Sequence, residues 1–312
     1  MKLSIVVPVW NRASWVRKTL DSIAASTHHG FELLIVDNGS TDDSLSVCEL
    51  WAWEHRDDGF PIRVLTELQH GAAAARNRGL MECQTEYIYF FDSDDQFSCD
   101  FVATILPSLS SDLDLICVPV RQEVKGQLRT RAYQPCGDIH VHLLNSMLNT
   151  LSMVLRTDYL RNIGGWNEAL GTWDDWELGV RVLLGRPRMQ WMTEKAYHHV
   201  IVHPDSQTGK SFSSTLSNIL KAMSVVIREL RNANFSSEKE RTKSLSAIYF
   251  RSCILSGKLL HEKNREGARE FHTMAMGCSE SIKSWRKWCG ASLRVYTTLG
   301  GRGAWRFALR LC

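Results

Sequence analysis

Apolar and polar positions fall into alternating blocks over the first hundred residues. Leu3 to Val9 is a β-branched run; Ala13 to Ser26 follows, with Trp15, Leu20 and Ile23 near helical spacing and Asn11 available to cap. Phe31 to Val36 predicts a second strand. It ends in Asp37-Asn38-Gly39-Ser40-Thr41-Asp42, where glycine permits positive φ and a hydroxyl can cap a helix running to about Glu54. Ile62 to Leu65 predicts a third strand, Gly71 opens an Ala-rich helix from Ala72 to Leu80 that carries Arg76 and Arg78, and Tyr87 to Phe91 predicts a fourth strand. This β-α-β-α-β-α-β order implies an α/β fold, a mainly parallel sheet flanked by helices, with right-handed crossovers and its working edge at the strand ends. Pro8, Asp37 and Asp92 all fall there.

The pattern then changes twice. Leu113 to Val120 reads as a strand, and Arg121 to Val124 with Leu128 to Arg131 flank Lys125-Gly126 as a hairpin. Pro135 to Asn149 gives no clear element; His140 and His142 could share a strand face, but a polar loop is the favoured reading and they receive no role. Leu216 to Arg231 and Leu245 to Met276 carry apolar residues at helical spacing, separated by polar Asn232 to Thr242, which predicts a helical appendage.

Composition narrows the class. A chain of 312 residues, 44% hydrophobic, can bury a large core, and a formal net charge of +3 singles out no partner. Nine scattered cysteines without a C-x-x-C spacing argue against a disulfide framework and a zinc site, and fit a reducing cytosol. The N-terminal apolar run is cut by Pro8, Trp10 and Asn11-Arg12, which reads as a strand rather than a signal peptide, and no segment has the apolar length to span a bilayer.

The chemistry gathers at Asp92-Ser93-Asp94-Asp95, where a buried strand delivers three carboxylates to its carboxyl end. Crowded carboxylates raise one another's pKa unless a cation offsets them, and hard oxygen ligands suit Mn²⁺ or Mg²⁺. An acidic turn in water is the plain alternative for an isolated tetrapeptide of this kind. At the neighbouring strand ends Asp37 can accept from a base N–H, Asp92 from a ribose hydroxyl, and Arg76 can approach base or phosphate with its donor fork. No glycine-rich phosphate cradle is present, so a metal must carry more of the phosphate binding.

Four motifs in this order carry a resemblance. Ser4-Ile5-Val6-Val7-Pro8-Val9-Trp10-Asn11-Arg12, Val36 to Asp42, Gly71 to Gly79 and Phe91 to Asp95 resemble the family 2 glycosyltransferases of GT-A fold, over about the first two thirds of the chain. The resemblance implies an inverting transfer from a nucleotide-diphospho-sugar donor, most often a UDP-sugar, to a glycan or glycolipid acceptor in polysaccharide, lipopolysaccharide or capsule synthesis. It implies a donor site from Pro8, Trp10, Asp37, Arg76, Asp92 and Ser93, a Mn²⁺ or Mg²⁺ cofactor on Asp94, and Asp95 as helper. In that family a Gly-Gly-aromatic turn, here Gly164-Gly165-Trp166, precedes an acidic pair whose second member is the base; Asp175 takes that place, with Asp174 and Glu177 less favoured. A strand ending in His, with Ser shortly after, closes over the diphosphate in the same enzymes, and His203 and Ser206 match it. Relatives carry an arginine just before this His where this chain has Ile201 and Val202, leaving His199 as a substitute.

The last segment differs again. After Glu280 there is no acidic residue, and Arg302, Arg306 and Arg310 recur every four positions among aromatic residues. That profile suits a helix at an anionic membrane surface, the alternative being a helix docked on the protein with its arginines in water; nucleic acid is disfavoured. The expected organisation is a transferase domain over residues 1–215, a helical appendage over 216–280 and a basic, aromatic tail over 281–312, cytoplasmic or peripheral on the inner membrane face. A sugar nucleotidyltransferase and a catalytically silent sugar-nucleotide scaffold are the alternatives.

Overall fold

The structure is a computed structural model that describes residues 1–124, 127–131, 135, 137–202, 211–280 and 282–312. Strands β1 (Leu3–Val9), β2 (Phe31–Asp37), β3 (Ile62–Thr66) and β4 (Tyr87–Phe90) alternate with helices α1 (Val16–Ala24), α2 (Ser44–Glu54) and α3 (Ala72–Glu82). Next come α4 (Phe101–Ile105), β5 (Leu115–Cys117), β6 (Val120–Val124), β7 (Gln127–Thr130) and α5 (Ile139–Asn145). They are followed by β8 (Met153–Arg156), α6 (Thr157–Asn162), α7 (Asp174–Leu184), β9 (Met189–Trp191) and β10 (Tyr197–Val200). Helices α8 (Leu216–Asn232), α9 (Glu238–His261), α10 (Arg265–Gly277), α11 (Ser284–Thr298) and α12 (Ala304–Leu311) complete the chain. It divides into two compact units: one of residues 1–135, 148–171 and 185–205, the other of 136–147, 172–184 and 206–312.

The first unit holds a seven-stranded sheet in the order β3-β2-β1-β4-β8-β5-β9 and a three-stranded sheet, β10-β6-β7. β1 pairs parallel with both β2 and β4, and β2 with β3, as the strand-helix alternation predicts; β8 runs antiparallel between β4 and β5. The order turns back at β1 and β4, the point where open sheets of this kind place ligands beyond the strand ends. Pro8 stands in this central strand without breaking a ladder. Val6 accepts from Phe91 N at 2.9 Å as the last β1 bond toward β4, and Pro8, next on that side, lies past the paired residues.

One core cluster includes Ile5, Val7, Leu33, Ile35, Tyr89 and Phe91 from the strands and Leu20 and Trp51 from the helices, all fully buried. Each such side chain contributes about 1.5–3 kcal/mol of transfer free energy. α3 lies close over β1 because Gly79 has no side chain: the methyls of Val6 occupy the space a Cβ would need.

In the second unit α9 is the central helix, buried along most of its length from Ser244 to Leu259 and packed by α5, α8, α10, α11 and α12. A helix covered on all sides is apolar around its circumference, and this one is, apart from small serines and one buried arginine, Arg251. Ser237 caps it by accepting from Glu240 N. The stretch from Leu245 to Met276, read in sequence as helically spaced, holds most of α9 and α10. The chain turns at Lys263 (φ +63°), and Asn264 caps α10 by accepting from Gly267 N. Pro135 to Asn149, read as a loop, contains α5, with His142 on its buried side.

Candidate active site

Three loops meet at the carboxyl ends of β1, β2 and β4. Asn11, held at φ +50°, donates its N–H to Ser40 Oγ at 3.1 Å, while its Oδ1 accepts from Thr41 N at 2.8 Å. Arg12 N donates to Ser44 Oγ at 2.7 Å, so the loop after β1 is stitched to the loop after β2. Asp37, the last residue of β2, is only 1% exposed. Its Oδ2 accepts from Ser40 N at 3.1 Å, and its Oδ1 is buried with no hydrogen-bond partner among the described residues. A buried carboxylate oxygen left this way costs free energy until a donor arrives. Asn38 ties the same strand end to the start of α3: its Nδ2 donates to the carbonyls of Glu67 and Gln69, and its Oδ1 accepts from Gly71 N at 2.7 Å.

The acidic stretch sits directly across. Asp92 accepts from Arg76 Nη2 at 2.9 Å, and the 7%-exposed Arg76 lies over the Trp166 indole at 4.4 Å. That indole is placed by the Gly164-Gly165 turn, both glycines at positive φ, which lets Trp166 N and O bond the side chain of Asn77 on α3. Asp94 Oδ2 accepts from Arg12 Nε at 3.2 Å. Ser93 is buried, and its carbonyl accepts from Thr19 Oγ1 at 3.0 Å. Asp95 turns inward, its Oδ1 accepting from Ile201 N at 2.7 Å, and burial and then the neighbouring Asp92 push its carboxyl well above the usual range. Trp10 is exposed and Pro8 half-buried at the same edge.

The structure places Asp37, Arg76, Asp92, Ser93, Asp94 and Asp95 at one sheet edge, together with Arg12, which had no role in the sequence analysis. Among the described residues no three His, Cys, Asp or Glu side chains converge in a metal-binding group. The hard carboxylate oxygens at Asp92 and Asp94 still have the donor chemistry that Mn²⁺ or Mg²⁺ takes. His203 and Ser206 lie outside the described residues. His199 pairs through its backbone with Gln96, and its Nε2 is 3.7 Å from Glu123. His198 is a core histidine that the sequence did not single out. It sits at φ +51° among Tyr89, Phe91, Phe97 and Phe101, its Nδ1 accepts from Ser98 N, and burial holds its pKa down to about 3, so the ring is neutral.

Asp174 and Asp175 belong to the second unit, in the first turn of α7, where the helix dipole favours acids. Asp175 Oδ1 accepts from Trp176 N at 2.7 Å. Glu177, fully buried, holds Arg181 by two bonds of 2.6 and 2.9 Å, the i,i+4 partner one turn on. Behind this turn His142 of α5 bonds Trp176 O at 2.9 Å, and burial lowers its pKa to about 4.

The profile of the family described as Glycosyl transferase family 2 matches residues 4–163, just over half of the 312 residues. The chain belongs to glycosyl transferase family 2. Along 105 residues it is 38% identical to Glycosyltransferase GlyA of Streptococcus pneumoniae, covering 33% of this chain and 14% of that protein. An uncharacterized glycosyltransferase of Haemophilus influenzae is 26% identical over 190 residues, 58% of this chain and 62% of that one. The match to an uncharacterized Rickettsia felis glycosyltransferase, at 39% identity, spans only 16% of that protein's length. Among solved structures S. aureus TarS has a TM-score of 0.71 at 19% identity, covering 99% of this chain and 55% of that one. A TarS 1-349 complex with UDP-GlcNAc scores 0.65 at 16% identity over 96% of this chain and 93% of that one. The mannosyltransferase PcManGT of Pyrobaculum calidifontis, in complex with GDP-Man and Mn2+, scores 0.60 at 15% identity over 98% and 86%. This family 2 chain therefore has the GT-A fold, as its sequence implied.

Proposed function

We propose that this family 2 glycosyltransferase is metal-dependent and inverting, and moves a sugar from a UDP-sugar to a hydroxyl of a glycan or glycolipid acceptor. The observation that carries the reading is Asp37 Oδ1, a buried, unpartnered carboxylate oxygen at the sheet edge that holds Asp92 and Asp94. Such an oxygen suits the N–H of a uracil base. The UDP-GlcNAc complex of the structurally similar TarS supports the donor class, and the Mn2+ in PcManGT supports the cofactor.

In this reading Asp37 accepts from the base, Asp92, steadied by Arg76, accepts from a ribose hydroxyl, and Pro8, Trp10 and Ser93 border the nucleotide. Asp94 and His203 hold Mn²⁺ or Mg²⁺, with Asp95, His199 and Ser206 as accessory groups. An ion held there would supply positive charge to offset that of the diphosphate. Asp175 takes the proton of the acceptor hydroxyl as its oxygen bonds to the anomeric carbon; the bond to the diphosphate breaks, its electron pair leaves with the nucleoside diphosphate, and the centre inverts. Asp174 is the reserve candidate.

A donor and acceptor screen with Mn²⁺ and mass detection tests the proposal. Transfer from a UDP-sugar supports it, and inactivity across a broad panel overturns it. Asp175→Asn is expected to lose about a hundred- to ten-thousand-fold in turnover while still binding UDP; wild-type turnover would remove the base assignment. We also propose that the tail over residues 281–312 meets an anionic membrane. α12 buries Ala304 and Ala308 and leaves Arg306, Phe307 and Arg310 exposed, with Trp288 of α11 also exposed. Equal flotation with anionic and neutral vesicles would refute this.

A further inference from the structure

Within the second unit one buried cation has been given no task. Arg251, on α9, is 5% exposed. Its guanidinium lies 4.4 Å from the Trp173 ring and 4.6 Å from the Trp176 ring, the two residues that bracket Asp174-Asp175 in the chain. A third indole, Trp305 of α12, is at 5.3 Å. Nη1 donates to Leu143 O at 2.7 Å and Nη2 to Ser146 Oγ at 3.1 Å, so the hydrogen bonds of this buried charge go to neutral acceptors at the end of α5. Nε has none. The carboxylate whose field acts on it is Asp175.

We propose that Arg251 is a positioning residue for Asp175: packed against the indoles of both Trp173 and Trp176, it holds the first turn of α7 in place and sets a fixed positive charge beside the Asp175 carboxylate. This rests on Asp175 being the base. Coulombic stabilisation is mutual, so a carboxylate that favours the buried guanidinium is itself favoured as the anion. Burial pulls Arg251 down to about 9, against the pull of Asp175, so it is still charged near neutral pH. The other groups around it do not take over the task. His142 of α5 is neutral there, and Glu177 of α7 is neutralised by Arg181. Lys258, one face along α9 and 5.2 Å from the same Trp305 ring, adds positive charge and has its own pKa lowered by burial and by Arg251. Asp174 of α7 is the remaining acid beside Asp175. A guanidinium can lie against both indoles, whose planes are inclined at 70° to each other, while its planar fork donates to two acceptors at the end of α5, which an ammonium cannot match.

The test uses the full chain with Arg251→Met and Arg251→Lys. The Asp175 carboxyl is followed by ¹³C NMR in the resting protein, assigned by its loss in Asp175→Asn, and the pH dependence of turnover is measured at saturating donor. In Arg251→Met the Asp175 titration and the acid limb of turnover are expected to move up by on the order of one pH unit, with donor KM unchanged. Arg251→Lys, which keeps the charge, is expected to return part of the shift. An unmoved Asp175 titration in Arg251→Met, whatever its melting temperature, overturns the proposal. If Arg251→Met does not fold, a titration in Arg251→Lys that does not differ from wild type, together with an unmoved one in Trp173→Phe, overturns it as well. Wild-type turnover in Asp175→Asn would instead remove the base reading on which it rests.

Discussion

Arg12 and Asp94 face each other across the gap between β1 and β4, guanidinium Nε to carboxylate Oδ2 at 3.2 Å. The residue read as the metal ligand therefore already has a cation on it, and both side chains are partly open to water. A divalent ion at Asp94 has to share the carboxylate with Arg12 or displace it. Arg12→Met is expected to tighten Mn²⁺ binding by about two- to fivefold, the worth of a partly exposed ion pair. Asp94→Asn is expected to abolish metal-stimulated turnover. Calorimetric titration of Mn²⁺ in the presence of UDP measures the first, and turnover with and without Mn²⁺ the second; weaker Mn²⁺ binding in Arg12→Met would show that the arginine helps hold the diphosphate instead.

Asp37 gives a second separation of effects. Replacing it by Ala removes the buried acceptor and leaves Ser40 N without its partner. UDP affinity is expected to fall by about ten- to a hundredfold, since hydrogen bonds to a charged group contribute about 1.5–3 kcal/mol. Turnover at saturating donor is expected to change little, because the base is remote from the reacting atoms. Binding calorimetry set beside saturation kinetics decides it.

Gly79→Ala tests the close approach of α3 to β1. The added Cβ would meet the methyls of Val6, a fully buried residue of β1. A loss of about 1–3 kcal/mol is expected in urea unfolding, the range for an overpacked core. A neutral result would mean that α3 can shift outward without loss.

These sites differ in how far the sequence exposes them. Asp37 and Asp92 are visible because each ends an apolar run, and a run that stops at a carboxylate marks a strand end. Gly79 is visible only as a helix-weakening residue, since the Val6 contact lies seventy positions away. α5 was hidden for a related reason: it is one short helix whose buried face includes His142, a polar residue held by the Trp176 carbonyl on a distant element. Arg251 carried no signal at all. On a helix an arginine reads as a solvated face, and only the arrival of Trp173, Trp176 and Trp305 makes it a core residue.

Glu229 supplies a test in pH. Burial, and then the adjacent Glu177, push its carboxyl up to about 8, while Arg181 Nε stands 3.9 Å from it and bonds Glu177 more closely. A carboxyl with a raised folded-state pKa binds its proton more tightly when folded. Its contribution is therefore fully present below the ordinary glutamate range and is lost as pH climbs through about 8. Glu229→Gln removes that loss. The melting temperature of the variant relative to wild type is expected to rise steadily between pH 5 and 8, and a pH-independent difference would reject the assignment.

The interleaving of the two units sets an order on synthesis. α5 and α7 are excursions from the first unit, and the helix that packs on α5 is α9, about a hundred residues later. Asp175 thus leaves the ribosome well before Arg251 and long before Trp305. Trp305 must emerge before the third indole can reach Arg251, so a chain stalled inside α11 would hold a finished sheet in its first unit and an Arg251 site still open in its second. Fragments cut at residue 206 would inherit the same defect from the other side, each lacking helices that only the other can supply.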